Sequence, residues 1–429
     1  MNNFSIKRIY CTFLVALVFS CTILQAQETK TPASTETVTA LTGASLVDIE
    51  KGNIIPDAIV LIKGDRIISS GAAAAIKIPQ GATIINLKGQ WLIPGLINSH
   101  VHLASALPGV TPATDTDADI VLRMARAARL SLESGVTTVR IVGAQGGTDF
   151  SLKRSINLGY TIGSRVECTG EVIVPTGGHG NREVNGAAEF SKATRDQIKK
   201  GATWIKISIS GGIADEVGTI GSSPMLPEEL KAVIDVSHRN NVKVTAHNGS
   251  PEAADEAIEM GVDGFEHGYF LQRKQLQIMK DKGIWLVPTI CVSQPAALDF
   301  YKNKKMPAWY LDKVNSVSKD HWAMLQEAIK MGVPIALGTD MDPFEPLDGT
   351  TATIKEAEFY VEAGMTPLAS LRSATSIAAK MLSRDKDLGV IKDGYLADII
   401  AVKQNPLLNI SALRSISFIM KDGQVVKPK

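Results

Sequence analysis

Of the seven histidines in this 429-residue chain, four fall where a metal ion could be held. His100 and His102 form a His-x-His pair. Side chains two apart on a β-strand point to the same side, so both imidazoles can reach one ion. His247 closes the run Val-Thr-Ala-His, His267 lies in Phe-Glu-His-Gly, and Asp340 closes Leu-Gly-Thr-Asp. Each of these groups would cost free energy in a core-like strand without a partner there. Their shared placement at the ends of apolar runs points to one metal site. Imidazole and carboxylate donors suit zinc, with cobalt or manganese as other occupants. Lys206 sits inside Thr203-Trp-Ile-Lys-Ile-Ser-Ile209, where a charged ammonium is expensive. Burial and neighbouring cations favour its neutral amine, which can add carbon dioxide to form a carbamate, a carboxylate-like group able to bridge two cations. The alternative is an unmodified lysine paired with an acid or with substrate.

The elements that must position these groups are legible as apolar runs alternating with stretches of helical period. The runs are Leu92–Ile97, Thr137–Val142, Arg165–Val174, Thr203–Ile209, Val242–Ala246, Gly264–Glu266, Ile284–Pro288 and Ile335–Gly338. Nearly continuous apolar runs are those of strands buried on both faces. Eight strand–helix units in succession predict an α/β protein with a (β/α)8 TIM barrel, a doubly wound sheet being the alternative. In such a barrel the C-terminal strand ends converge on one mouth, where the five metal-site candidates would meet. Residues 38–93 and 388–429 read instead as hairpins. Asp57–Lys63 turns at Gly64-Asp65 into Arg66–Ser70, and Ser417–Lys421 turns at Asp422-Gly423 into Gln424–Val426. Both chain ends are expected to build one small composite β-sandwich domain beside a barrel spanning 94–387. Residues 291–333 exceed an ordinary connection, and a lid over the mouth or an extra helix packed by Trp309, Tyr310 and Trp322 would account for them equally.

Lys7 and Arg8 precede the apolar run Ile9–Leu24 and the small-residue step Gln25-Ala26-Gln27. A basic start, a short apolar core and a small residue at the exit make residues 1–26 a secretory signal peptide and 27–37 a linker, so the expected location is periplasmic or secreted. The run is short for a membrane span of about 20 residues. Lipidation at Cys21 is the lesser reading, because Phe19 is bulky for that cleavage site. Removing residues 1–26 takes two of the 45 basic residues and none of the 44 acidic ones, changing the net charge from +1 to −1. A near-neutral surface argues against nucleic acid or an anionic membrane as main partner. Cys168 and Cys291 show no paired spacing and read as isolated buried thiols.

With the segments Trp91-Leu-Ile-Pro-Gly-Leu-Ile-Asn-Ser-His100 and Gly389…Gly394-Tyr-Leu-Ala-Asp398, the set His100, His102, Lys206, His247, His267 and Asp340 closely resembles the amidohydrolase superfamily from residue 40 to the end. Thr176-Gly-Gly-His-Gly180 and Ser210-Gly-Gly212 resemble its imidazolonepropionase-related branch, which contains Xaa-Pro dipeptidases (prolidases). The resemblance implies a barrel with a composite β-domain and two divalent metals, usually zinc. By it, His100, His102 and Asp340 hold one metal, His247 and His267 the other, and a carboxylated Lys206 bridges them. A hydroxide between the metals would then cleave an amide bond, with Asp340 passing the proton to the leaving amine. His179, in its glycine-rich loop, is expected to be a catalytic residue, electrophilic or substrate-orienting, near the carbonyl oxygen, and Arg182 to bind a substrate carboxylate. His238 and His321 read as surface histidines.

The expected substrate is a small molecule or short peptide, in a dipeptidase or carboxypeptidase-like reaction, including Xaa-Pro cleavage. A non-peptide amide (N-acyl amino acid, cyclic amide or amide-linked xenobiotic) is the second reading. A binding protein on a barrel that has lost catalysis is a third, disfavoured by the complete ligand set. Self-association as a homo-oligomer is left open. Val139-Arg-Ile141, where an aspartate usually follows the arginine, and the acidic Met341-Asp-Pro-Phe-Glu-Pro-Leu347 depart from the pattern.

Overall fold

A computed structural model describes residues 37–104 and 115–426. The expected signal peptide, nearly all of the expected linker, Cys11 and Cys21 lie outside the described residues. The described residues begin with segments that become β1 (Thr39–Asp48), β2 (Asn53–Lys63), β3 (Arg66–Ala72), β4 (Thr83–Asn86) and β5 (Trp91–Pro94), rich in β-branched residues. Then come β6 (Leu96–Val101), β7 (Val136–Ile141), β8 (Arg165–Cys168), β9 (Ile173–Val174), β10 (Arg182–Glu183), β11 (Trp204–Ser208), β12 (Lys243–Asn248), β13 (Gly264–His267) and β14 (Trp285–Val287). A two-residue pairing, β15 (Pro346–Leu347) with β16 (Thr350–Thr351), precedes β17 (Ile399–Val402), β18 (Ile416–Lys421) and β19 (Gln424–Val426).

Both chain ends do share one sheet. Its order is β19-β18-β17-β5-β1-β2-β3, with β4 on β1, and β5 pairs antiparallel with β17 through Pro94↔Ile399 and Trp91↔Val402. Leu41, Leu46, Val60, Ile62, Ile399, Phe418 and Met420 from its two halves bury one another in a single cluster. The expected turns are present: Lys63 pairs with Arg66 and Lys421 with Gln424.

The strands from β6 to β14 are parallel, in the orders β6-β7-β8 and β10-β9-β11-β12-β13-β14. Thr203 N donates to Cys168 O at 2.9 Å, linking the second set to β8, and Ser99 N donates to Leu337 O at 2.7 Å. Amphipathic helices cover these strands. In helix Pro227–Arg239, proline opens the first turn and Leu230, Val233, Ile234 and Ser237, spaced three and four apart, face inward. Each such aliphatic side chain contributes about 1.5–3 kcal/mol when fully removed from water.

Three expected runs form differently. Leu92–Ile97 divides at Gly95, where the chain leaves the outer sheet, and a Cβ there would lie 2.3 Å from Thr137. Arg165–Val174 divides into β8 and β9 around Gly170, whose φ of +74° no strand uses. Ile335–Gly338 makes only an isolated bridge, Leu286↔Ile335, and its amides bond one by one to neighbouring backbone. Residues 291–333 form helices Pro295–Asn303 and Ala308–Met331, the latter burying Tyr310, Val314, Val317, His321, Met324, Leu325 and Ala328. Cys168 and Cys291 are buried, unpaired thiols, as expected. Among the described residues no helix is long and apolar enough to cross a membrane.

Candidate metal centre

Strand register brings the chemistry together. Lys206 lies beside Thr245, Ser208 beside His247, and His247 beside Glu266, so alternate residues of β11 and β12 face one centre. Regular alternation would send either Glu266 or its neighbour His267 outward. His267 has φ +64°, Asp340 φ +54° and Thr289 φ +51°, left-handed values that are costly for side-chain-bearing residues and let strand-end groups turn inward.

Three imidazoles are held by one nitrogen and present the other. His100 Nδ1 is 2.7 Å from Glu266, His102 Nδ1 is 3.2 Å from the carbonyl of Gly143, and His267 Nδ1 is 2.7 Å from Thr289 Oγ1. The Nε2 atoms of His100 and His102 each lie 3.2 Å from Asp340 Oδ1. Ligand atoms of His100, His267 and Asp340 all fall within 4.8 Å of one another. His247 is anchored the other way, with Nε2 donating to Gly211 O at 3.1 Å, which leaves the unprotonated Nδ1 with its lone pair available to a metal. The rings of His247 and His267 are 4.5 Å apart. Burial, with neighbouring cations, holds both well below the usual imidazole range, so both are neutral, as ligation requires.

Burial pushes Lys206 down to about 8, although the carboxylates of Glu266 and Asp340 pull the other way. Asp340 is raised by burial but held well below the ordinary carboxylate range by His100 and His102. The side chains of His102 and Asp340 remain 38% and 25% exposed, so the centre opens to solvent on their side.

Several groups here were not singled out by sequence reasoning. Glu266 is fully buried and accepts from Arg140 Nη2 (2.5 Å), Thr245 Oγ1 (2.6 Å) and His100 Nδ1 (2.7 Å). Burial would raise its pKa, but Arg140 and His100 keep it far below normal. Arg140, equally buried, also donates to Ser99 O at 2.6 Å. The available signal was a charge inside an apolar run, the argument that identified Lys206. His321 is a correction: it is fully buried rather than at the surface, because it lies on the apolar face of its helix. Its Nδ1 is 2.7 Å from Ser293 Oγ, burial pushes it down to about 4, and its ring meets Tyr269, which stacks on His267. His238 is partly exposed and pairs with Asp263 at 2.8 Å.

His179 joins the cluster, its ring 4.3 Å from that of His247 and its Nδ1 2.8 Å from Asp215. Arg182, on β10, has its guanidinium 3.9 Å from Asp196 of helix Gly186–Lys200.

The amidohydrolase family pattern matches residues 91–428. This chain belongs to that family. A Xaa-Pro dipeptidase with methionine bound in its active site shares 30% identity and a TM-score of 0.83, over 91% of this chain and all of that one. A prolidase complexed with N-methylphosphonate-L-proline shares 28% identity and a TM-score of 0.84, over 92% of this chain and all of that one. The ochratoxinase of Aspergillus niger is 29% identical over 373 residues, 78% of this chain and 75% of its own length. This amidohydrolase therefore has a TIM-barrel-like α/β fold, falls in the prolidase-like branch and is a hydrolase acting on C–N bonds.

Proposed function

We propose that this amidohydrolase is a binuclear metallohydrolase that cleaves the peptide bond of a dipeptide or releases a C-terminal residue, Xaa-Pro bonds included. The observation that carries the reading is the convergence of His100, His102, His267 and Asp340, with His247 and Lys206 beside them. The donor set fits a metal. His100 Nε2 is buried and, although 3.2 Å from Asp340, makes no hydrogen bond. A buried ring nitrogen left so is expensive without a ligand. His100, His102 and Asp340 would hold one cation, His247 and His267 the second, and Lys206 as its carbamate would bridge them. Zinc suits this imidazole–carboxylate set. When bound, such a pair makes a water more acidic and polarises the scissile carbonyl.

The protein's own groups do the rest. Asp340 accepts the proton of the attacking water as its oxygen bonds the carbonyl carbon. It returns that proton to the nitrogen as the C–N bond breaks. His179 orients the substrate at the carbonyl oxygen, and Arg182 is assigned to a substrate carboxylate. We further propose a closed (β/α)8 barrel over 94–387, flanked by a domain made from 38–93 and 388–429, in a chain exported by its first 26 residues. The hydrogen bonds from Thr203 to Cys168 and from Ser99 to Leu337 support closure. Likeness to ochratoxinase supports a second reading, hydrolysis of a non-peptide amide.

Metal analysis of the purified protein, followed by a panel of dipeptides, N-acyl amino acids and cyclic amides, tests the proposal. Two equivalents of metal and selective dipeptide turnover are expected. Asp340→Asn should abolish turnover while most metal stays bound. Stoichiometric metal with no amide cleaved would overturn the function, and near-wild-type activity of Asp340→Asn would overturn the proton-transfer role.

A further inference from the structure

We infer that Asp215, tied down by Lys313 of the long helix Ala308–Met331, is a positioning residue that fixes the ring of His179 for catalysis. The inference rests on the reading of His179 as the group that orients the substrate.

Asp215 belongs to the loop after β11 and uses both carboxylate oxygens. Oδ1 is 2.8 Å from His179 Nδ1, and Oδ2 accepts from Gly212 N at 2.8 Å. Gly212 forms the floor under the imidazole: a Cβ there would lie 2.4–2.7 Å from His179 Cε1, Nδ1 and Cγ. The adjoining Gly211 carbonyl is the partner of His247 Nε2. One short loop therefore anchors two neighbouring histidines. Lys313 Nζ closes the loop from the other side, donating to Gly212 O at 3.4 Å and to the backbone carbonyl of Asp215. The side chains of His179 and Asp215 are 26% and 31% exposed, so the pair is open to solvent on one side.

The chemistry follows from the geometry. A carboxylate accepts only, so Nδ1 must be the donor to Asp215. Nε2 is then the only ring nitrogen left for substrate, and rotation of the ring is blocked by the carboxylate on one side and the Gly212 floor on the other. This is how a carboxylate orients a catalytic imidazole without touching the reacting atoms. Lys313 thus braces, from the long helix, the loop that holds His179.

The test is a double-mutant cycle on the metal-loaded enzyme with its best amide substrate. Asp215→Asn should lower kcat about 10–100-fold with KM within about threefold and metal content unchanged, as for removal of an orienting partner. In a His179→Asn background the same change should cost nothing more, because the two residues act as one unit. Lys313→Met should lower kcat less, and likewise only when His179 is present. Nitrogen-15 NMR of labelled histidine supplies a readout independent of turnover: His179 Nδ1 carries the proton in the wild type, and this preference weakens in Asp215→Asn. An Asp215→Asn enzyme within twofold of wild type overturns the inference. So does a loss that adds to that of His179→Asn, a loss of metal, or an unchanged tautomer. A wild type that cleaves no amide overturns the proposed function instead, and the NMR result still decides the role of Asp215.

Discussion

Replacing Glu266 by glutamine isolates the contribution of the charge beneath the proposed metal centre. The carboxylate is fully buried and accepts at 2.5, 2.6 and 2.7 Å from Arg140, Thr245 and His100. Glutamine keeps the shape but leaves the Arg140 guanidinium without a counter-charge, also fully buried. Removing one partner of a buried pair costs about 3–5 kcal/mol. At roughly 1 °C per kcal/mol for a chain of this size, the unfolding midpoint should fall by about 3–6 °C. Circular dichroism during heating, with all variants saturated with metal, measures it. The double variant Glu266→Gln/Arg140→Met removes the stranded charge and should be more stable than the sum of the single losses by at least about 1 kcal/mol. The sign with pH is also set. Glu266 has a depressed folded pKa, so its contribution is complete above the ordinary value of about 4.3 and is lost as pH falls below that. The wild type should therefore lose its advantage over Glu266→Gln in acid. A Glu266→Gln loss below about 1 kcal/mol, or simple additivity in the double variant, would refute the reasoning.

Other expectations concern neighbouring groups. Lys206→Ala should release metal, with partial recovery on adding a short-chain carboxylate, as read by metal analysis after dialysis; undiminished metal would exclude the carbamate bridge. Thr289→Val removes the partner of His267 Nδ1 and should weaken metal binding about 10–100-fold in chelator competition, with the fold retained. Glu356 is buried, accepts from the amides of Ile290 and Cys291 at 2.8 Å each, and is raised by burial to about 7. Its folded pKa exceeds its unfolded one, so this group makes the protein less stable as pH rises from about 4.3 to about 7. Glu356→Gln should flatten that slope in thermal melts across the range, and an unchanged slope would assign it elsewhere.

The parts of the site legible in the sequence are those at or just past the ends of apolar runs. His100 on β6 and His102 just beyond it keep their two-residue spacing and both reach Asp340, and His247 alternates with Thr245 on β12. Glu266 was hidden beside His267 because only one of two adjacent strand residues should face inward, and the left-handed backbone at His267 breaks that rule. Asp215 was hidden for another reason. Its role comes from a loop closed by side-chain and backbone hydrogen bonds, which leave no periodic trace. His321 was legible in principle: Tyr310, Val314, Val317, His321, Met324 and Ala328 recur at three and four residues, which puts the imidazole on the apolar face. The run Ile335–Gly338 is apolar enough for a strand but keeps only one bridge, since its amides are taken up singly by different neighbours.

The pairing of β5 with β17 has a consequence for how the polypeptide matures. Trp91–Pro94 leads straight into the strand bearing His100, yet its antiparallel partner Ile399–Val402 leaves the ribosome about 300 residues later. Until then that strand offers an open edge beside the nascent centre, and the slow closure of so distant a pairing sets when the strand is locked. A polypeptide cut short before Ile399 would keep every proposed metal ligand and still lack the seam that holds the first of them in place.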